Sequence, residues 1–117
     1  MGQPVLHFEI GGKDGKKLQD FYAKLFDWKV DANNPMNYGM VDTGGQGGIN
    51  GGIYAAEGED RGGVRVYVQA DDLQAYLDKA ASLGGRTIMP PSQIPDGPMI
   101  AMFADPEGNV TGLIKGM

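Results

Sequence analysis

One histidine occurs in the chain, His7, two residues from Glu9 in Val5-Leu6-His7-Phe8-Glu9-Ile10. An imidazole that titrates near neutrality, beside a carboxylate, is a minimal set for metal-free acid/base chemistry. The same two groups are ligands for a first-row divalent metal. Strict alternation makes this stretch a half-buried strand, so His7 and Glu9 share one face at a spacing of about 7 Å. A metal on that pair alone would need water or a partner chain to complete it. The plainer role for His7 is a wall histidine bonded to Glu9 or to a tyrosine, because no nucleophile or second base accompanies it. Arg65 offers a planar fork for a carboxylate or phosphate; its alternative is an ion pair with Glu9 across neighbouring strands. Tyr38, Tyr54 and Tyr67 can stack on a planar ligand and donate hydroxyls, or serve as ordinary strand aromatics.

These residues need elements to hold them. Val5–Ile10 is the first strand, ended by Gly11-Gly12. Asp14 is placed to cap a helix whose apolar residues, Leu18, Phe21, Tyr22 and Leu25, recur at helical spacing. Phe26–Val30, Tyr38–Asp42 and Ile49–Ala55 read as three further strands, with a turn at Asn33-Asn34-Pro35 and a glycine-rich loop at Gly44–Gly48. That loop lacks the Lys-Ser/Thr and helix of a phosphate loop. Residues 57–63 are polar and glycine-rich, a linker. The order then restarts. Val64, Val66 and Val68 alternate with Arg65, Tyr67 and Gln69. Asp71 or Asp72 caps a second helix carrying Leu73, Tyr76, Leu77, Ala80 and Leu83, and Gly84-Gly85 closes it. Thr87–Met89 is a short strand stopped by Pro90-Pro91. Met99–Ala104 and Val110–Lys115 form a hairpin around Asp105-Pro106-Glu107-Gly108. The order is βαβββ twice, with a repeat of about 58 residues.

Composition bounds the function. The chain has 117 residues, enough for one domain, and no cysteine, which excludes disulfides, thiolate metal sites and cysteine nucleophiles. Net charge is −5 and no basic cluster exceeds Lys16-Lys17, which argues against nucleic acid. No apolar run is long enough to span a membrane, and the N-terminus lacks the pattern of a signal peptide, so the cytoplasm is the expected compartment.

The paired βαβββ order resembles the vicinal oxygen chelate superfamily, the glyoxalase, bleomycin-resistance and extradiol dioxygenase group. The stretches that carry the resemblance are Leu6–Ile10, Phe21–Trp28, Val66–Leu73, Leu83-Gly84-Gly85 and Asp105–Asn109. The resemblance implies one α+β domain over 1–117, with repeat 1 at about 5–56 and repeat 2 at about 64–116. The repeats would form an open, curled mixed sheet with helices on the convex face. Leu6, Phe8, Ile10, Val64, Val66 and Val68 would then lie under the helices, while His7, Glu9, Arg65, Tyr67 and Gln69 face a concave pocket. With Tyr38, Asn50, Gly52, Tyr54 and Gly112, the last three of these, Arg65, Tyr67 and Gln69, make up the expected ligand-binding set, and His7 and Glu9 the catalytic one. A homodimer is also implied, since open sheet edges invite pairing.

Enzymes of that family hold a divalent metal through His and Glu on the first and last strands of each unit. Carried over residue by residue, the first-strand position of repeat 1 is His7. Its counterpart in repeat 2 falls at Arg65, or at Val64 with a shift of one. The last-strand glutamates fall at Gly52 and Gly112. Guanidinium is not a usual ligand and glycine has no side chain, so no cofactor and no metal are expected. A mid-strand glycine marks either a bend of the sheet or room for a close approach, here of a ligand. Three functions remain open: a protein that binds a small molecule, in the manner of the bleomycin-resistance members; a lyase or dioxygenase using metal-free chemistry at His7 or an atypical metal site; and an interaction subunit with a vestigial pocket.

Overall fold

The computed structural model describes residues 2–116. Its elements are β1 (Val5–Gly12), α1 (Gly15–Phe26), β2 (Lys29–Asp31), β3 (Gly39–Asp42), β4 (Gly51–Ala55), β5 (Gly63–Gln69), α2 (Leu73–Ser82), β6 (Arg86–Gln93), β7 (Met99–Ala104) and β8 (Val110–Lys115). The fold is α+β, and the order is the expected βαβββ, twice. Two compact units result. One is His7–Val64; the other is built on the chain from Arg65 onward, together with the N-terminal residues as far as Leu6.

Each unit has the same mixed topology. In the first, β1 runs parallel to β4, and β3 lies antiparallel to both β4 and β2. In the second, β5 runs parallel to β8, and β7 lies antiparallel to both β8 and β6. The crossover helix covers one face of each sheet, because a parallel pair needs a long connection and a helix supplies it.

In the first unit the core is Ile10, Val41 and Ile53, with Phe8, Leu18, Tyr22, Trp28 and Val30 packed against it. Asp14 caps α1 as expected, its carboxylate accepting from the Lys17 N–H at 3.0 Å. The inward face is not the one the apolar spacing alone picks out. Leu18 and Tyr22 point in, Phe21 and Leu25 are exposed, and Gln19 is buried at 6% exposure. The Gln19 amide donates to the Ile53 carbonyl at 3.0 Å and to the Asn37 carbonyl at 3.3 Å. These bonds allow a polar side chain to take an inner position. Helix α1 runs through Phe26 and ends at Asp27 in the left-handed region (φ 58°). Phe26 and Trp28 therefore precede β2 rather than belonging to it.

In the second unit Ala70, Leu73, Leu77, Ala101 and Leu113 form the core. Asp72 is the cap, accepting from the Ala75 N–H at 3.0 Å. Leu83 leaves the apolar stripe: it is the C-cap residue and 70% exposed. Gly84 takes φ +99°, and the Gly85 N–H returns to the Ala80 carbonyl at 2.8 Å, which closes the helix as the glycine pair predicts. Strand β6 continues through Pro90-Pro91 instead of stopping there. It pairs only with β7, and two register shifts flank Met89; an edge strand with bulges tolerates missing N–H donors. Val64 and Val66 are exposed rather than covered, Val64 at 73%. Strand β5 meets β8 only over Tyr67–Gln69, so these valines lie beyond the stretch that α2 and β8 pack on. Val68 does pack under α2.

Candidate functional site

Strand β1 presents Phe8 and Ile10 to α1 and turns His7 and Glu9 to the other face, as alternation requires. Tyr38 reaches them from the residue just before β3. Its hydroxyl donates to Glu9 Oε2 at 2.9 Å and lies 2.9 Å from His7 Nε2. A phenol has one proton. With that proton on the carboxylate side, the hydroxyl oxygen accepts from His7, which assigns the Nε2–H tautomer to the imidazole. The His7 and Tyr38 rings are near-parallel, 17° apart with centroids 6.5 Å apart. Burial pulls the His7 pKa below its ordinary 6.5, so the ring is neutral at pH 7. Glu9 is 8% exposed.

What holds Tyr38 there is Asn34. Its Oδ1 accepts from the Tyr38 N–H at 2.9 Å, and its Nδ2 donates to the Tyr38 carbonyl at 2.7 Å. The sequence marks Asn33-Asn34-Pro35 only as a turn; nothing in the local pattern shows that one of the two asparagines grips the backbone four residues on.

The strand register aligns the two units independently of any family. Glu9 stands opposite Gly52, and Tyr67 opposite Gly112. With the two glycines equated, Glu9 corresponds to Tyr67 and His7 to Arg65, so Arg65 and not Val64 is the counterpart of the histidine. Both glycines are needed because of tyrosines. A Cβ on Gly52 would strike the Tyr38 ring and hydroxyl, and one on Gly112 would strike the Tyr67 ring. Gly11 stands in the same relation to Tyr54. The space at each of these mid-strand glycines is filled by an aromatic of the same unit, the pairing in which a ring shields an otherwise bare stretch of strand.

The remaining candidates take different local roles. Arg65 Nη1 lies 3.2 Å from Met102 Sδ. Tyr67 is 3% exposed. The Tyr54 hydroxyl donates to Asp60 Oδ2 at 2.8 Å, tying β4 to the loop after it. Asn50 is exposed and its Oδ1 accepts from the Thr43 N–H at 3.0 Å, which closes the glycine-rich loop. Gln69 is half-buried, and its N–H bonds the Pro4 carbonyl at 2.9 Å. His7, Glu9, Tyr38 and Gly52 thus form one cluster in the first unit, and Tyr67 and Gly112 a pair in the second.

This donor set does not fit the divalent metal of the family the sequence resembles. His7 and Glu9 are both engaged by one phenol, the two carboxylate positions are glycines, and the remaining position is an arginine. Among the described residues, no three His, Cys, Asp or Glu side chains come together as a metal would require. What the cluster can do is hold a neutral imidazole in one tautomer, with a phenol and a carboxylate behind it to share a proton.

The sequence profile of the Glyoxalase/Bleomycin resistance protein/Dioxygenase superfamily matches residues 5–113. The chain belongs to that superfamily. A Mycobacterium bovis protein named "Putative glyoxylase CFP32" is 30% identical over 108 residues, a match covering 86% of this chain and 41% of that protein. The anthracycline biosynthesis protein DnrV of Streptomyces peucetius is 26% identical over 117 residues, covering 86% of this chain and 42% of DnrV. The chain thus spans about two fifths of the length of these curated relatives. Among solved structures, a hypothetical protein of Bacillus halodurans superposes with a TM-score of 0.71 at 12% identity, covering 100% of this chain and 96% of that one. Methylmalonyl-CoA epimerase of Mycobacterium tuberculosis gives 0.66 at 13% identity, covering 97% and 87%. At such identities these superpositions establish the superfamily's fold. No helix among the described residues is long and apolar enough to cross a membrane.

Proposed function

We propose that this glyoxalase-superfamily chain binds a small organic molecule without the superfamily's metal, and that the His7–Tyr38–Glu9 cluster supplies the polar contact. The observation that carries this reading is the double replacement of carboxylate by glycine, with a tyrosine ring over each glycine. In the first unit the Tyr38 ring and hydroxyl beside the His7 ring offer aromatic surface and polar contacts, the usual wall of an organic-ligand site, where a metal centre would offer charge. The relative named for anthracycline biosynthesis makes planar aromatic molecules a reasonable part of the ligand range. The protein acts in the cytoplasm, as a homodimer. A thermal-shift panel of small acids and planar aromatics on the purified chain is the test. At least one class is expected to raise Tm by several degrees, and for at least one ligand of that class His7→Ala should abolish the shift. Elemental analysis of the same sample should find less than stoichiometric Ni, Zn, Mn or Fe. A stoichiometric metal that disappears in His7→Ala would refute the metal-free reading, and a blank panel would refute binding.

The hydrogen bonds favour a second reading, metal-free proton transfer. A neutral His7 backed by a phenol and a carboxylate is equipped to take a proton from an acidic carbon or heteroatom acid. Turnover that follows the neutral form of His7, holding through neutral pH and falling as pH drops through the lowered His7 pKa, would distinguish it from binding alone.

The same titration has a stability consequence. The folded pKa is lowered, so His7 contributes stability that is whole above its unfolded pKa near 6.5 and is lost as pH falls through the folded pKa. Urea midpoints measured from pH 7.5 to pH 5 should therefore drop on the acid side, and less steeply in His7→Ala. Parallel curves would mean that His7 is not held neutral.

A further inference from the structure

The two units carry an internal comparison. With the N-caps Asp14 and Asp72 aligned, Tyr22 of α1 falls on Ala80 of α2, and Trp28 falls on Arg86. In the first unit Tyr22 and Trp28 stack, 11° apart with centroids at 5.8 Å, and Trp28 also meets Phe8 at 5.5 Å and Phe26 at 5.0 Å. These rings fill the space between the end of the helix and the sheet. In the second unit the same two positions hold a methyl group and an exposed arginine at the start of β6.

The result is an apolar cleft of about 490 Å³ between α2 and its sheet, open to solvent and within the volume range of small-molecule sites. Ala80 lies where the missing tyrosine would stand. Val68, Tyr76, Phe103 and Leu113 are the walls, and Leu83, an exposed leucine, stands at the rim. Lys79 joins the lining, and its side chain is solvent-exposed. Asp105 lines the cavity too, but its carboxylate is committed to its own turn: it accepts from the Glu107 and Asn109 N–H groups and from Asn109 Nδ2, at 2.9, 2.9 and 3.0 Å.

We infer that this cavity is a second binding site, separate from the His7 cluster, for an aromatic acid of one or two fused rings. The rings occupy the volume beside Ala80 that Tyr22 fills in the first unit, and Lys79 meets the acid. Two observations set the ligand class: an apolar cleft in the place of an aromatic side chain, and a cation among its lining residues.

The test is isothermal titration of the full chain with indole-3-acetate, 1-naphthoate and uncharged indole. Saturable binding of both acids at one site per chain is expected. Ala80→Tyr, which restores the side chain used in the first unit, should weaken them at least about tenfold without lowering Tm. Lys79→Gln should weaken the acids about threefold and leave indole unchanged, the effect of one partly exposed charge pair. His7→Ala should leave all three unchanged, which separates this site from the function proposed above. The inference is overturned if neither acid saturates at millimolar concentration, if Ala80→Tyr binds as tightly as the parent, or if His7→Ala abolishes binding. Should Ala80→Tyr fail to fold, Lys79→Gln decides: an unchanged preference for the acids over indole overturns the assignment.

Discussion

Gly112→Glu, the substitution that would restore the superfamily's carboxylate in the second unit, is expected to destabilise the protein severely rather than create a metal ligand. Tyr67 stands directly opposite Gly112 in the parallel pair, and a Cβ on Gly112 would run into its ring. The ring has nowhere to go, since Tyr67 is 3% exposed. Overpacking of this kind costs about 1–3 kcal/mol. Placing a carboxylate there without a partner adds desolvation, for a total of about 3–5 kcal/mol. Domains of this size have about 5–15 kcal/mol in all. Urea denaturation followed by far-UV circular dichroism should show a loss of about 3–5 kcal/mol, and Gly112→Ala should lose about 1–3 kcal/mol from the overpacking alone. In a Tyr67→Ala background, itself destabilised by the cavity it leaves, Gly112→Ala should cost less than in the parent, because the obstructing ring is gone. An unchanged urea midpoint in Gly112→Glu would show that the tyrosine–glycine pairing does not constrain the sheet.

Tyr38→Phe is expected to have the next largest effect, and to act on binding as well as stability. The substitution keeps the ring over Gly52 and deletes only the hydroxyl. Glu9 then loses one donor and His7 loses its acceptor at 2.9 Å. A hydrogen bond to a charged group is worth about 1.5–3 kcal/mol, and a loss of that order should appear in the urea midpoint. Ligand affinity in the thermal-shift panel should fall about tenfold, because the imidazole is no longer fixed in one tautomer. Trp28, the chain's single tryptophan, packs in the core of the first unit, so its fluorescence reports whether that unit stays intact. A variant that matches the parent in midpoint and in ligand response would remove Tyr38 from the site.

Gly52 and Tyr38 show how far local pattern reaches. The sequence places Gly52 in a strand and Tyr38 beside one, and alternation puts His7 and Glu9 on a common face. It does not reveal that the glycine exists for the tyrosine, because that relation depends on strand register and on the path of the turn held by Asn34. Gln19 illustrates the same limit on a helix. Apolar spacing alone assigns the inward face to Leu18, Phe21, Tyr22 and Leu25, but two carbonyl acceptors on neighbouring segments make a buried amide stable and roll Phe21 and Leu25 outward. Asn50, grouped by position with the ligand set, is a loop clamp for the same kind of reason: its partner, Thr43, is brought to it by the closure of the loop.

By itself the sequence determined the βαβββ order, the Asp14 cap, the Asp105 turn and the glycines at positions 52 and 112. These follow from short-range periodicity, from turn chemistry, and from which atoms a side chain possesses. Only the tertiary structure decided what fills the vacated positions. It put tyrosine rings over Gly52 and Gly112, one hydroxyl between His7 and Glu9, and an open cleft where Ala80 stands as the counterpart of Tyr22. Those outcomes depend on volume and register among residues far apart in the chain, and sequence periodicity carries neither.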